Sequence, residues 1–224
     1  MAIIPQKGLK WITVKTTLPA SYEPASVRKP IRSERLVIRS FTPEDLDAYH
    51  SLRSEADVMQ WTAQACPDAD VAATQKNMAQ FLSPDGDNTN VFIIALPDTG
   101  ELVGTIGIRL LSGSMGWPEI GYMLRGKFWG KGYATEINRA YMNYWWNLPR
   151  QEELVEIKVD ENTVNGAAEG DVVPELITAL IDERNAASKK VLDKLGFRFT
   201  TAWEETNPYG VKLIAHGFVL EKPQ

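Results

Sequence analysis

The sequence predicts an α/β (α+β) fold, a single domain in which a mixed sheet carries helices on its faces. Three observations point there. Of the 224 residues 44% are hydrophobic and 24% charged, the balance of an ordinary globular chain that can bury a core. Segments with a two-residue apolar period interleave with segments of helical period, in the order β, α, α, β, β, β, α, β, α, β, β. Two of the strands are joined by Pro97-Asp-Thr-Gly100, the composition of a hairpin turn, so part of the sheet is antiparallel.

Residues 1–30 read as an N-terminal extension. They are rich in Pro, Lys, Ser and Thr, with one alternating patch at 10–17 able to add an edge strand. The domain proper, 31–224, opens with the alternating run Ser33 to Phe41 and then Thr42-Pro43-Glu44-Asp45, where an N-cap, an N1 proline and first-turn acids start a helix. Leu46, Tyr49 and Leu52 continue its stripe, and a second helix is expected from Val71 to Leu82, ended by Ser83-Pro-Asp-Gly-Asp87. Strands are expected at Asn90–Leu96, Leu102–Leu111 and Glu119–Arg125. The last runs into Gly126-Lys-Phe-Trp-Gly-Lys-Gly132 and a helix from Tyr133 to Trp146. Residues 150–172 are an acidic insertion containing alternating Val155, Ile157 and Val159, expected as a loop or a small protruding hairpin. A strand at Pro174–Ile181, a helix from Asn185 to Leu195 capped by Gly196, and strands at Phe197–Thr201 and Val211–Leu220 close the domain.

Several function classes are excluded by composition. A net charge of -5 argues against a nucleic-acid footprint. One cysteine and two histidines supply neither a disulfide framework nor a metal site. The N-terminal apolar stretch is too short and interrupted for a signal peptide or membrane helix, so a cytoplasmic chain with no membrane partner is expected.

The strand, glycine turn and helix around Gly130 and Gly132 form the unit that carries chemistry. Such a turn directs backbone N–H groups at an anion, the helix N-terminus adds about half a positive charge, and Lys127 and Lys131 add screening charge. An ordinary tight turn is the competing reading. Lys131 is followed by Gly132 rather than Ser or Thr, and Thr135 stands where a third glycine is required, so neither a P-loop nor a Rossmann fingerprint fits and a nucleotide-binding enzyme ranks last.

Lys127-Phe-Trp-Gly130-Lys-Gly132 resembles the cofactor motif of the GNAT superfamily of N-acetyltransferases (Arg or Gln, two residues, Gly, one residue, Gly or Ala), with Lys127 departing from the usual first residue. Tyr133-Ala-Thr-Glu136, the later run from Asn185 to Phe197, and the opening Arg35-Leu-Val-Ile-Arg39 are similar to the branch of ribosomal-protein N-terminal acetyltransferases. The resemblance covers about residues 31–220. It implies a mostly antiparallel central sheet splayed at a cofactor cleft and acetyl-CoA as cofactor. Backbone of Tyr122, Met123 and Leu124 would pair with pantetheine, and the loop Lys127, Phe128, Trp129, Gly130, Lys131, Gly132 with the following Tyr133 and Ala134 would hold the pyrophosphate side. Asn185 would contact the pantetheine arm, although a helix N-cap explains it equally.

The implied reaction is attack of a neutral amine on the thioester, which needs a base and an oxyanion donor. Glu119, at the start of the cofactor strand, is the base candidate, and the N–H near Met123 the oxyanion donor. Many relatives place a general-acid tyrosine where this chain has Leu192, so Ser188 is nominated beside the thiol. Trp61 and Tyr209 are expected to line the acceptor pocket. The acceptor is a primary amine on a protein N-terminus or small molecule, and the enzyme a monomer or homodimer. A catalytically weak acyl-CoA-binding or sensing module is the alternative reading.

Overall fold

A computed structural model describes residues 8–82, 84, 86, 89–207 and 209–223. The chain divides into two compact units, one comprising Met1–Ser21, Arg109–Ile120 and Leu148–Gln224, the other Tyr22–Ile108 and Gly121–Asn147.

In the second unit β2 (Ile31–Arg32), β3 (Val37–Arg39), β4 (Asn90–Ala95) and β5 (Leu102–Leu110) form an antiparallel meander, with β6 (Glu119–Leu124) next in the strand order. The period-two pattern of β4 sorts its side chains onto two faces. Val91, Ile93 and Ala95 pack with Phe41, Tyr49, Leu52, Val58, Met78 and Phe81 from the segment holding α1 (Leu46–Arg53), α2 (Ala56–Met59) and α3 (Val71–Ala79). Phe92 points the other way, edge-on to Tyr141 and Tyr144 of α4 (Tyr133–Trp146) at 6.0 and 5.8 Å. Helices therefore cover both faces, as the alternation requires. Tyr141 is fully buried, and its hydroxyl accepts from Ile108 N at 2.9 Å and donates to Asn90, which docks α4 onto β4 and β5.

Local signals set the helix starts. Thr42 N donates to Asp45 Oδ2 at 2.8 Å, and Asp70 caps α3 by accepting from Ala73 N at 2.8 Å. Helix α3 ends at Ala79, before the expected Leu82. The breaker expected there, Ser83 to Asp87, lies largely outside the described residues. Helix α2 has four residues, too few for periodicity to reveal.

In the first unit β8 (Leu176–Asp182), β10 (Lys212–Glu221) and β9 (Arg198–Thr206) pair antiparallel, and the start of β6 joins β8 in parallel at Glu119 and Thr178. The strand order is β2-β3-β4-β5-β6-β8-β10-β9, a mixed and mostly antiparallel sheet of eight strands. Helix α5 (Ala186–Leu195) precedes β9 and ends on Gly196 at φ 85, the left-handed stop that glycine supplies without strain.

One expectation changes. The 150–172 insertion is neither a loop nor a hairpin of its own, because its strand β7 (Val155–Asp160) pairs antiparallel with β1 (Trp11–Thr16) of the extension, in register from Trp11 opposite Asp160 to Thr16 opposite Val155. The other edge of β1 is occupied too. Lys15 N donates to Asp171 O at 2.8 Å, Gly170 N to Thr13 O at 2.8 Å and Val173 N to Lys15 O at 2.9 Å. Extension and insertion thus satisfy each other's backbone polar groups, and Val14 and Val159 are buried with Trp117, Val164, Leu176 and Val219. No helix among the described residues is long and apolar enough to cross a membrane.

Candidate active site

Residues 122–134 run from the end of β6 through the glycine turn into the first turn of α4. At the C-terminal end of β6, Glu55 holds the chain as it leaves the strand, accepting from Arg125 Nε at 2.9 Å and Gly126 N at 2.7 Å. A single 3₁₀ turn, Gly126–Phe128, follows with Phe128 buried, and Trp129 Nε1 donates back to Leu124 O at 2.8 Å. Gly130 and Gly132 have φ of 73 and 80, a region closed to most side chains, which explains the glycine spacing. Gly132 is the N-cap of α4 and provides no side-chain cap. Helix geometry leaves the N–H groups of Tyr133, Ala134 and Thr135 without intrahelical acceptors, and they carry the positive end of a 14-residue helix dipole.

The lysines share one ring and differ in their engagement. Lys127 and Lys131 lie 5.2 and 5.3 Å from the Phe128 centroid. Lys127 is ion-paired with Glu101, whose carboxyl is held below its ordinary range chiefly by that bond. Tyr122, Met123 and Leu124 precede the turn in β6, Leu124 buried and Met123 half-buried against the α1–α3 core. A Cβ at Gly104 of β5 would fall 2.0 Å from Met123 O, so that glycine permits the two strands to approach. Trp61 is 40% exposed.

The remaining site residues belong to the first unit. Glu119 Oε2 accepts from Ser114 N at 2.9 Å, in a turn closed by Gly113 N donating to Trp117 O at 2.8 Å. Desolvation by burial raises its carboxyl above the usual carboxylate range, the Ser114 bonds oppose this, and the charge of Glu205 adds to the rise. A carboxylate so placed is a stronger base once ionised. Asn185 is buried and its Oδ1 accepts from Ser188 N at 3.0 Å, so it is the N-cap of α5. Ser188 is half-buried on the first turn. Leu192, 1% exposed, is a packing residue. Asn207 Oδ1 accepts from Tyr209 N and Val211 N at 3.0 and 2.9 Å, fixing the turn that presents Tyr209 at 62% exposure; Pro208 lies outside the described residues.

Two networks in the second unit escape sequence reasoning. In the first, Arg35 and Ser33 converge on Glu136 behind the glycine turn. In the second, buried Arg53 donates through Nε and Nη2 to Asp68 at 2.6 and 2.7 Å, and Asp68 also accepts from Thr74 and Gln64 at 2.6 and 2.8 Å. This pair anchors the segment 61–67, in which Ala65 has φ 58. Burial alone would raise the Asp68 carboxyl, but the bonds from Arg53, Thr74 and Gln64 prevail and hold it at about 2, below its ordinary 3.8. Because the folded-state pKa is depressed, the stabilisation is complete above the unfolded value and is lost as pH falls toward about 2. By urea unfolding, the stability gap between wild type and Asp68→Asn is expected to narrow by about 2 kcal/mol from about pH 5 to about pH 2. A constant gap shows that the ion pair does not set the difference.

Comparisons with known proteins bear on the family and the fold. A family model for the acetyltransferase (GNAT) domain matches residues 35–198. The chain is 34% identical over 136 residues to the uncharacterized N-acetyltransferase p20 of Bacillus licheniformis, which covers 58% of this chain and 74% of that protein. It is 29% identical over 115 residues to the uncharacterized N-acetyltransferase YnaD of Bacillus subtilis (strain 168), covering 51% of this chain and 64% of that one. Among solved structures, a GNAT-family acetyltransferase from Bacillus anthracis superposes with a TM-score of 0.65 at 21% identity, covering 88% of this chain and 100% of the other. RimL, a ribosomal L7/L12 alpha-N-protein acetyltransferase solved in complex with coenzyme A, superposes with a TM-score of 0.62 at 15% identity, over 86% and 98% of the two chains. At these identities the structural likeness speaks to fold.

Proposed function

The chain belongs to the acetyltransferase (GNAT) family, and on that premise we propose that it moves an acetyl group from acetyl-CoA to a primary amine by direct attack. One observation carries the cofactor assignment: the uncapped first turn of α4, entered through two glycines at positive φ. Backbone N–H groups from Gly130 to Thr135 suit a pyrophosphate, and a Cβ at Gly130 would meet nothing within 4 Å, so the face is open to a large anion. Bound acetyl-CoA would supply the activated thioester carbonyl.

The chain's own groups would do the rest. Glu119, its carboxyl raised by burial, would take the proton from the ammonium acceptor, directly or through water. Ser188 would offer a hydroxyl to the departing thiolate, which is stable enough to leave with weak assistance. Trp61 and Tyr209, exposed aromatics, are the acceptor-side candidates. At pH 7 an α-amine with a pKa of about 8 is roughly 10% neutral and a lysine below roughly 0.1%, so one carboxylate base serves an N-terminal or small amine more readily. The RimL likeness points the same way. A cytoplasmic location is part of the same reading.

Incubation with acetyl-CoA and a panel of N-terminal peptides, lysine peptides and small amines, read by mass spectrometry, tests the proposal. Acetylated α-amines or small amines are expected. Coenzyme A binding without acetylation of any panel member would favour an acyl-CoA-binding module, the reading that Leu192 at the usual tyrosine position supports.

A further inference from the structure

The glycines that let backbone approach a phosphate also leave it free to turn. Gly132 tolerates either sign of φ, so the peptide between Lys131 and Gly132 has no intrinsic reason to hold one orientation. A device that fixes it is present. Arg35 Nη1 donates to Lys131 O at 3.1 Å, and its guanidinium lies 4.6 Å from the Tyr133 ring centroid. In a trans peptide the carbonyl and the following N–H point in opposite directions. Holding Lys131 O toward Arg35 therefore turns Gly132 N–H away from Arg35 and leaves it free for an anion on the opposite side.

Arg35 is itself held. Its Nε and Nη2 meet Glu136 Oε2 at 2.8 and 2.7 Å, and its backbone N donates to Glu136 Oε1 at 2.8 Å. Ser33 Oγ donates to the same Oε1 at 2.7 Å. Glu136 lies in the first turn of α4, so the pair spans the turn from both ends. The planar guanidinium fork suits this geometry, since it can bind a carboxylate and a carbonyl at once. Arg35 also neutralises a carboxylate that would otherwise stand near the anion-binding end of the helix.

We propose that Arg35 and Glu136 are positioning residues that preset the glycine turn for coenzyme pyrophosphate, and that they govern coenzyme affinity without touching the reacting atoms. The proposal rests on the reading of residues 130–135 as the pyrophosphate cradle. A different role is conceivable for an arginine beside a phosphate loop, that of a direct phosphate ligand, and the two roles predict opposite responses. Freeing Arg35 from its carboxylate would strengthen a direct ligand and weaken a clamp.

The test measures coenzyme A and pantetheine binding by calorimetry in the full chain, with folding checked by circular dichroism. Pantetheine lacks the pyrophosphate together with the 3′-phosphoadenosine, so it reports on the pantetheine arm alone. In the Arg35→Gln/Glu136→Gln double variant, which leaves the net charge unchanged, coenzyme A affinity is expected to fall about tenfold while pantetheine affinity holds. KM for acetyl-CoA should rise in step, with kcat at saturating acetyl-CoA moving less than about twofold. The near-isosteric Glu136→Gln alone should weaken coenzyme A about threefold and serves if the double variant fails to fold. Wild-type affinity in the double variant, or tighter binding by Glu136→Gln, overturns the clamp while leaving the cradle standing. If wild type binds coenzyme A no more tightly than pantetheine, the cradle itself is wrong and the clamp falls with it.

Discussion

Gly130→Asp is expected to lower coenzyme A affinity by at least about a hundredfold in a chain that still folds. Two effects act at this position, and they can be separated. Gly130 has φ 73, so any side chain pays a backbone cost, but aspartate and asparagine tolerate the left-handed region better than other residues. A Cβ there meets no neighbour within 4 Å, so no packing is disturbed. What remains is a negative charge set where a doubly charged pyrophosphate is proposed to lie, in competition for N–H groups that helix geometry leaves without intrahelical acceptors. Gly130→Asn has the same shape without the charge and should lose only about threefold. Calorimetry on both variants decides the matter: equal losses would mean that conformation, not charge, is responsible. Unchanged affinity in a folded Gly130→Asp would remove the turn from the coenzyme site.

The contrast between α4 and β1 shows what was legible in the sequence. The bounds Tyr133 and Trp146 were readable because every signal is local: the glycine turn before the helix and the buried stripe of Ile137, Tyr141 and Trp145 within it. Likewise Asn185 and Gly196 mark the ends of α5 by their own side-chain and backbone chemistry. Strand β7 carries an equally clear period of two, yet its partner β1 lies about 145 residues earlier, and nothing local specifies which edge an alternating strip will choose. The same limit hides Arg35 and Glu136, separated by 101 residues, and Glu55 and Gly126, separated by 71. Each looks like a surface charge until the chain is folded. Sequence thus yields the motif that would touch the ligand, whereas the groups that hold that motif in shape emerge only from three-dimensional contacts.

Glu119→Gln is expected to reduce kcat about a hundredfold and, at the same time, to raise the melting temperature at neutral pH. The opposite signs follow from one cause. Burial raises the folded-state pKa of Glu119 above its ordinary 4.5, so the stability tied to its protonated form is complete below the unfolded value and is lost as pH climbs through the folded one. As pH climbs through that folded-state value the enzyme takes on an ionised carboxylate in a poorly solvated place, opposed in part by Ser114 N. Glutamine keeps an acceptor for Ser114 and removes the charge, which relieves the folded state. The stability gain should vanish on acidification below about pH 4.5, where wild type is protonated as well. Catalysis moves the other way because glutamine cannot accept the ammonium proton. The loss should be deepest near pH 7 and shrink as pH approaches the acceptor's own pKa, about 8 for an α-amine, since a neutral nucleophile needs no base. A paired pH series of kcat and melting temperature tests both halves. Wild-type turnover throughout would exclude Glu119 as the base even if the stability gain appears, because a buried surplus charge can exist without chemistry. Lost turnover with no stability gain would instead place the carboxylate in water, where a direct proton transfer from the acceptor and a water-relayed one become the alternatives to separate.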